Sequence, residues 1–98
     1  MTDYHNKSID NLFKVISGIT TVEECYAFFE DLCTIKEIQD MAQRLETAIM
    51  LKHGENYQNI SAKVGVSSAT ISRVNRCLNY GSGGYKAAIE KLGKGQII

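Results

Sequence analysis

Apolar positions recur at three- and four-residue spacing along this chain, and capping residues cut the pattern into six helices. Ser8 starts the first, with Ile9, Leu12, Phe13 and Ile16 on one face and Gly18 at its end. Thr21-Val-Glu-Glu24 is a capping box, hydroxyl at one end and carboxylate at the other, and opens a helix carrying Cys25, Phe28, Phe29 and Leu32. A second box, Thr34-Ile-Lys-Glu37, opens the longest helix, which runs to about His53. Its apolar set is Ile38, Met41, Ala42, Leu45, Ala48 and Ile49, and Gly54 is positioned as its C′ residue. Asn79 to Gly84 reads as a loop, and Tyr85, Ala88, Ile89 and Leu92 define a last short helix that Gly93 ends. The first two helices, residues 8–33, carry more apolar surface than one small monomer can hide. That predicts dimerisation helices.

Residues 57–78, YQNISAKVGVSSATISRVNRCL, read as a helix-turn-helix. Ile60 and Val64 share a face four residues apart, with Ser61 and Ala62 leaving room for a second helix. Gly65 supplies the positive φ of a sharp turn, Val66 re-enters the core, and Ser67 is placed to cap the next helix. Ile71, Val74 and Leu78 continue the apolar stripe, which turns Ser68, Ala69, Ser72, Arg73 and Arg76 outward. Short polar groups first and cations later is the surface a recognition helix offers to base edges and phosphates. Lys63, Ser67, Ser68, Ala69, Thr70, Ser72, Arg73 and Arg76 are therefore the candidate DNA-binding residues.

The formal net charge of zero conceals an asymmetry that supports this reading. Residues 1–56 hold five cations against ten acids, and residues 57–98 hold six cations against Glu90 alone, so the halves carry −5 and +5. The positive half contains the helix-turn-helix, as a protein that meets a polyanion on one face requires. With 98 residues, no Pro, no Trp and 44% hydrophobic residues, the chain reads as a single all-α domain, residues 1–7 lying outside the ordered part. The start MTDYHNKS lacks the pattern of a signal peptide and no apolar run approaches a membrane span, so a cytoplasmic protein is expected. Cys25, Cys33 and Cys77 form no C-x-x-C pair and fall on or beside apolar helical positions, which predicts buried, reduced thiols.

The run R-L-E-T-A-I-M-L-K-H-G, followed by a helix-turn-helix ending A-T-I-S-R-V-N-R-C-L, resembles the trp repressor superfamily. C-T-I-K-E-I-Q-D-M-A-Q-R resembles the turn into that family's long central helix. The polar start and the G-S-G-G-Y loop are similar to its short relatives of the YerC/YecD type. The resemblance spans roughly residues 8–92. It implies a six-helix trp-repressor-like fold, an intertwined homodimer and binding to operator DNA, with two recognition helices about one helical turn of DNA apart. The family's best-known member grips L-tryptophan between two arginines, which correspond here to Arg44 and Arg73; Thr70, Cys33 and Thr34 also match residues around that ligand. Arg44, Thr70, Arg73, Cys77 and Thr34 are thus the candidate effector-binding residues. Two of the family's positions differ: Val74 replaces a glycine that lets the indole lie flat, and Cys77 replaces a serine near the ligand's amino group. Both argue against free L-tryptophan as a tight corepressor, and no other cofactor is implied.

Other chemistry is sparse. His5 and His53 stand alone, no nucleophile–base constellation occurs, and G-S-G-G-Y-K lacks the spacing of a P-loop, so neither an enzyme nor a metal site is expected. Three function classes fit: a sequence-specific transcriptional regulator acting as a homodimeric repressor, a nucleic-acid-binding accessory module, and a dimeric protein-interaction domain. Charge and motif together favour the first.

Overall fold

The computed structural model describes residues 3–93, and among them the secondary structure is entirely helical. The elements are α1 (Lys7–Ser17), α2 (Val22–Leu32), α3 (Ile35–Lys52), α4 (Tyr57–Val64), α5 (Ser68–Tyr80) and α6 (Gly84–Leu92). The chain divides into two compact units, residues 1–38 and 39–98, with the first turn of α3 in one and its remainder in the other.

Helix starts follow the capping logic with one shift. The Asn6 side chain, and not Ser8, accepts from the Ile9 N–H at 2.9 Å, so α1 begins at Lys7. At α3 the box closes reciprocally: the Glu37 N–H donates to Thr34 Oγ1 at 3.1 Å, and the Thr34 N–H donates to Glu37 Oε1 at 2.8 Å. At α2, Thr21 Oγ1 accepts from the Glu24 N–H at 3.1 Å, but the Glu24 carboxylate reaches one residue further back. It accepts from the Thr20 N–H at 3.4 Å and from the hydroxyls of Thr20 and Thr21 at 3.1 Å each. Three donors hold the Glu24 carboxyl below the usual carboxylate range, Thr20's hydroxyl first among them. The expected loop from Asn79 is shorter than its composition suggests. The Asn79 amide donates back to the Asn75 carbonyl and side chain at 3.0 Å each, which carries α5 on to Tyr80. Gly81 is its C-cap, a position where a Cβ would collide with the Cys77 carbonyl.

The two units differ in kind. In the first, α1 and α2 contain no buried residue, and Phe28 and Phe29 meet edge to face with ring centroids 5.4 Å apart. Phe13, Val15, Val22, Tyr26 and Leu32 are all more than half exposed. The second unit holds the core. Ala48 and Ile49 from α3, Val74 from α5 and Ile89 from α6 form one buried cluster, with Ile60, Ile71 and Leu78 also buried. Of the apolar set read for α3, only Ala48 and Ile49 are buried, while Met41 and Leu45 stay exposed. Thr47 is fully buried and satisfied, its hydroxyl donating to the Gln43 carbonyl at 2.8 Å. A Lys52–Glu90 ion pair at 3.4 Å joins α3 to α6 at the surface. The cysteines contradict expectation: all three are free thiols, but Cys25 and Cys77 are exposed and Cys33 is half-buried. Helical spacing puts each beside the apolar stripe, yet the described residues leave Cys25 and Cys77 uncovered and cover Cys33 only in part.

Candidate nucleic-acid interface and effector pocket

α4 and α5 form the helix-turn-helix, and each feature of the turn has a local cause. Gly65 adopts φ 85°, ψ 24°, a left-handed conformation that costs a residue with a side chain roughly 1–2 kcal/mol, and its N–H closes α4 onto the Ser61 carbonyl. The Ser61 hydroxyl spans the turn and donates to the Val66 carbonyl at 2.9 Å. From α3, the Gln43 amide donates to the Val64 carbonyl at 3.4 Å, which satisfies an acceptor that the end of α4 leaves open. Ser67 caps α5, its Oγ accepting from the Thr70 N–H at 3.2 Å. With Ile60, Ile71, Val74 and Leu78 buried, the two helices cannot rotate about their axes without exposing the core.

That rotation places the candidate DNA-binding residues. Ser68, Ala69, Ser72, Arg73 and Arg76 are all exposed on α5, as the stripe requires. Ser67 and Thr70 are committed locally: the Ser67 hydroxyl meets Thr70 Oγ1 at 3.2 Å as well as capping the helix. Exposed Lys63 lies within 3.8 Å of half-buried Glu55, a surface pair of the kind that gives way when a phosphate competes. Neither α4 nor α5 has an acid in its first turn, whereas α1 carries Asp10, α2 Glu23 and Glu24, and α3 Glu37. The amino end of α5 therefore keeps its positive potential for an external anion, whereas Glu55, bonded to the Asn59 amide, brings a carboxylate to the amino end of α4.

Four of the five candidate effector residues also come together. Arg44, Thr70, Arg73 and Cys77 line one depression of about 470 Å³, in the company of Asp40, Gln43, Val66, Val74 and Tyr85. The Arg44 Nε donates to the Asp40 carbonyl one turn earlier at 3.3 Å, which anchors that guanidinium along α3. Thr34 is engaged as the cap of α3 and belongs to the first unit. Sequence reasoning does not single out Asp40, Gln43 or Tyr85 for this pocket. Asp40 and Gln43 stand one turn and one residue before Arg44, so their presence follows once Arg44 is placed, but Tyr85 arrives from a different helix and no spacing signals it. Among the described residues no group of His, Cys, Asp and Glu is arranged to hold a metal ion, and no helix is long and apolar enough to cross a membrane.

Comparison with known proteins agrees with this geometry. The family model described as Trp repressor protein matches residues 7–93. The uncharacterised protein YerC of Bacillus subtilis (strain 168) is 54% identical over 86 residues, covering 88% of this chain and 83% of its own. A TrpR-like protein from Eubacterium eligens superposes with a TM-score of 0.88 at 48% identity, over 90% of this chain and 91% of that one. A candidate Trp repressor from Staphylococcus aureus gives 0.87 at 43% identity, over 90% and 88%. The chain thus belongs to the Trp repressor family of DNA-binding regulators.

Proposed function

We propose that this protein is a sequence-specific transcriptional repressor that acts in the cytoplasm as a homodimer, each protomer inserting α5 into the major groove of an operator half-site. The observation that carries the reading is the surface of α5. Its inward positions are buried apolar residues, and its outward positions run from short polar groups at the amino end to Arg73 and Arg76 further along. The absence of an acid from the first turn of α5 supports it, and so does the apolar character of α1 and α2, which calls for a second copy. A bound small molecule would act through the depression between Arg44 and Arg73. Two guanidiniums suit a carboxylate, and Arg73 belongs to both that depression and the outward face of α5.

Footprinting on genomic fragments, followed by anisotropy titration across a salt series, tests the reading. A short two-fold symmetric footprint and a steep salt dependence are expected. Arg76→Ala should weaken binding to every sequence and flatten the log–log salt slope by about one unit for each phosphate that the guanidinium neutralises. Diffuse protection without symmetry would instead indicate an accessory nucleic-acid-binding role, and no protection at all would leave a protein-interaction dimer.

A further inference from the structure

A long-range side-chain bond ties the helix-turn-helix to α3, and it starts from a wall of the depression that holds Arg44 and Arg73. Half-buried Gln43 lines that depression, and its amide donates at 3.4 Å to the Val64 carbonyl, 21 residues away. Its backbone is tied to the core, because fully buried Thr47 donates to the Gln43 carbonyl at 2.8 Å. At the other end of the bond, Val64 is the last residue of α4. The Gly65 N–H that follows bonds back to the Ser61 carbonyl, and the Ser61 hydroxyl holds the Val66 carbonyl at 2.9 Å. Val66 lines the same depression. The turn of the motif is thus one wall of the depression and also accepts a bond from another.

The two guanidiniums of the depression differ in how far they are committed. Arg44 is anchored along α3 by its bond to the Asp40 carbonyl at 3.3 Å. Arg73 is exposed on α5 and makes no hydrogen bond or ion pair among the described residues. An anion in the depression is attracted to both, and so pulls α5 toward α3. At 3.4 Å the Gln43 bond lies beyond the range of about 2.7–3.2 Å of a good N–H···O contact, and drawing the helices together shortens it.

Given the reading of that depression as an effector site, on which this step rests, we infer that Gln43 couples its occupancy to the pose of the helix-turn-helix. The occupant is a small carboxylate or other oxyanion. With the anion held between Arg44 and Arg73, the Gln43 amide grips the Val64 carbonyl and fixes the end of α4 relative to α3. Without it the turn is held less tightly. Gln43 itself makes no contact with DNA in this scheme. It is a positioning residue, so its removal weakens DNA binding without removing a phosphate contact.

Heteronuclear NMR of the wild type and Gln43→Met, with sodium sulfate exchanged for sodium chloride at constant ionic strength, tests this. Methionine matches glutamine in length and helix propensity and has no donor. In the wild type, four signals should move along one saturating curve: the side-chain N–H groups of Arg44 and Arg73, the Gln43 amide, and the Gly65 N–H, which reports the Val64 peptide. The Gln43 signal should move downfield. In Gln43→Met the arginine signals should still saturate while Gly65 stays still. Fluorescence anisotropy on a duplex selected by the wild type should show Gln43→Met binding roughly 2- to 10-fold more weakly, the worth of one hydrogen bond, with an unchanged salt slope. Urea melting of the variant verifies that the fold is kept, and the wild-type titration stands without it. Arginine signals that saturate while Gln43 and Gly65 stay still overturn the inference and leave the anion site in place. A Gly65 signal that moves alike in Gln43→Met, an unchanged DNA affinity, or a salt slope that flattens with the affinity also overturns it. Arginine signals that do not saturate remove the effector reading of the depression and this inference with it.

Discussion

Val74 stands where two constraints meet, since it is 3% exposed among Ala48, Ile49 and Ile89 and also lines the depression that holds Arg44 and Arg73. Its place in the stripe of Ile71 and Leu78 is legible in the sequence, because three- and four-residue spacing fixes which way a helical side chain faces. Val74→Ala should lower the free energy of unfolding by about 1–3 kcal/mol, through reduced burial and an incompletely collapsed cavity, measured by urea denaturation. The same branched side chain leaves little rotamer freedom for an indole to displace it, and overfilling a packed site costs about 1–3 kcal/mol. Calorimetric titration with L-tryptophan is therefore expected to give no binding in the low micromolar range, and a Kd in that range would refute the steric argument. Cys25 and Cys77 show what spacing cannot give. Position relative to a stripe says where a residue faces, and burial depends on whether another element covers that direction.

At the scale of elements, the side chains that hold the ends of helices account for most of what is readable in the sequence and for the errors in boundaries. Thr34 and Glu37 form their box as the residue types dictate, since each satisfies a donor that a helix start otherwise leaves open. The box at α2 departs from the pattern because Thr20 competes for the Glu24 carboxylate, and the lowered carboxyl pKa follows from that extra donor. A carboxyl depressed in the folded state stabilises above its unfolded pKa, and the contribution is lost as pH falls through the folded value. The difference in melting temperature between the wild type and Glu24→Gln should accordingly be present at neutral pH and shrink below the usual carboxylate range. A difference that stays constant from neutral to strongly acidic pH would mean that ionised Glu24 contributes nothing to the start of α2. Spacing and composition misplace the ends of α1 and α5 through the same physics. Asn6 is an equally good cap two residues before Ser8, and Asn79 bonds back onto α5 although its composition favours a loop.

For the whole molecule the governing question is what covers the first unit. A segment of about forty residues is near the limit below which a chain cannot sustain a core alone, and α1 and α2 bury nothing. Exposed Val22, Tyr26 and Ile35 are too apolar for a solvent face, and a second copy of the same unit offers a matching one. Sedimentation at micromolar concentration should give twice the 10.9 kDa chain mass. Ile35→Asp separates an interface from an exposed surface. Ile35 is 71% exposed and is the first residue of α3, where an acid suits the helix dipole, so in a monomer the substitution should change stability by no more than about 0.5 kcal/mol. In a dimer that buries this position, the charge would be desolvated without a partner. The expected result is a shift toward single-chain mass and a melting temperature that falls on dilution. A wild-type protein that sediments as one chain, with Ile35→Asp melting at the same temperature, would remove the dimer and with it the paired recognition helices that an operator of two half-sites requires.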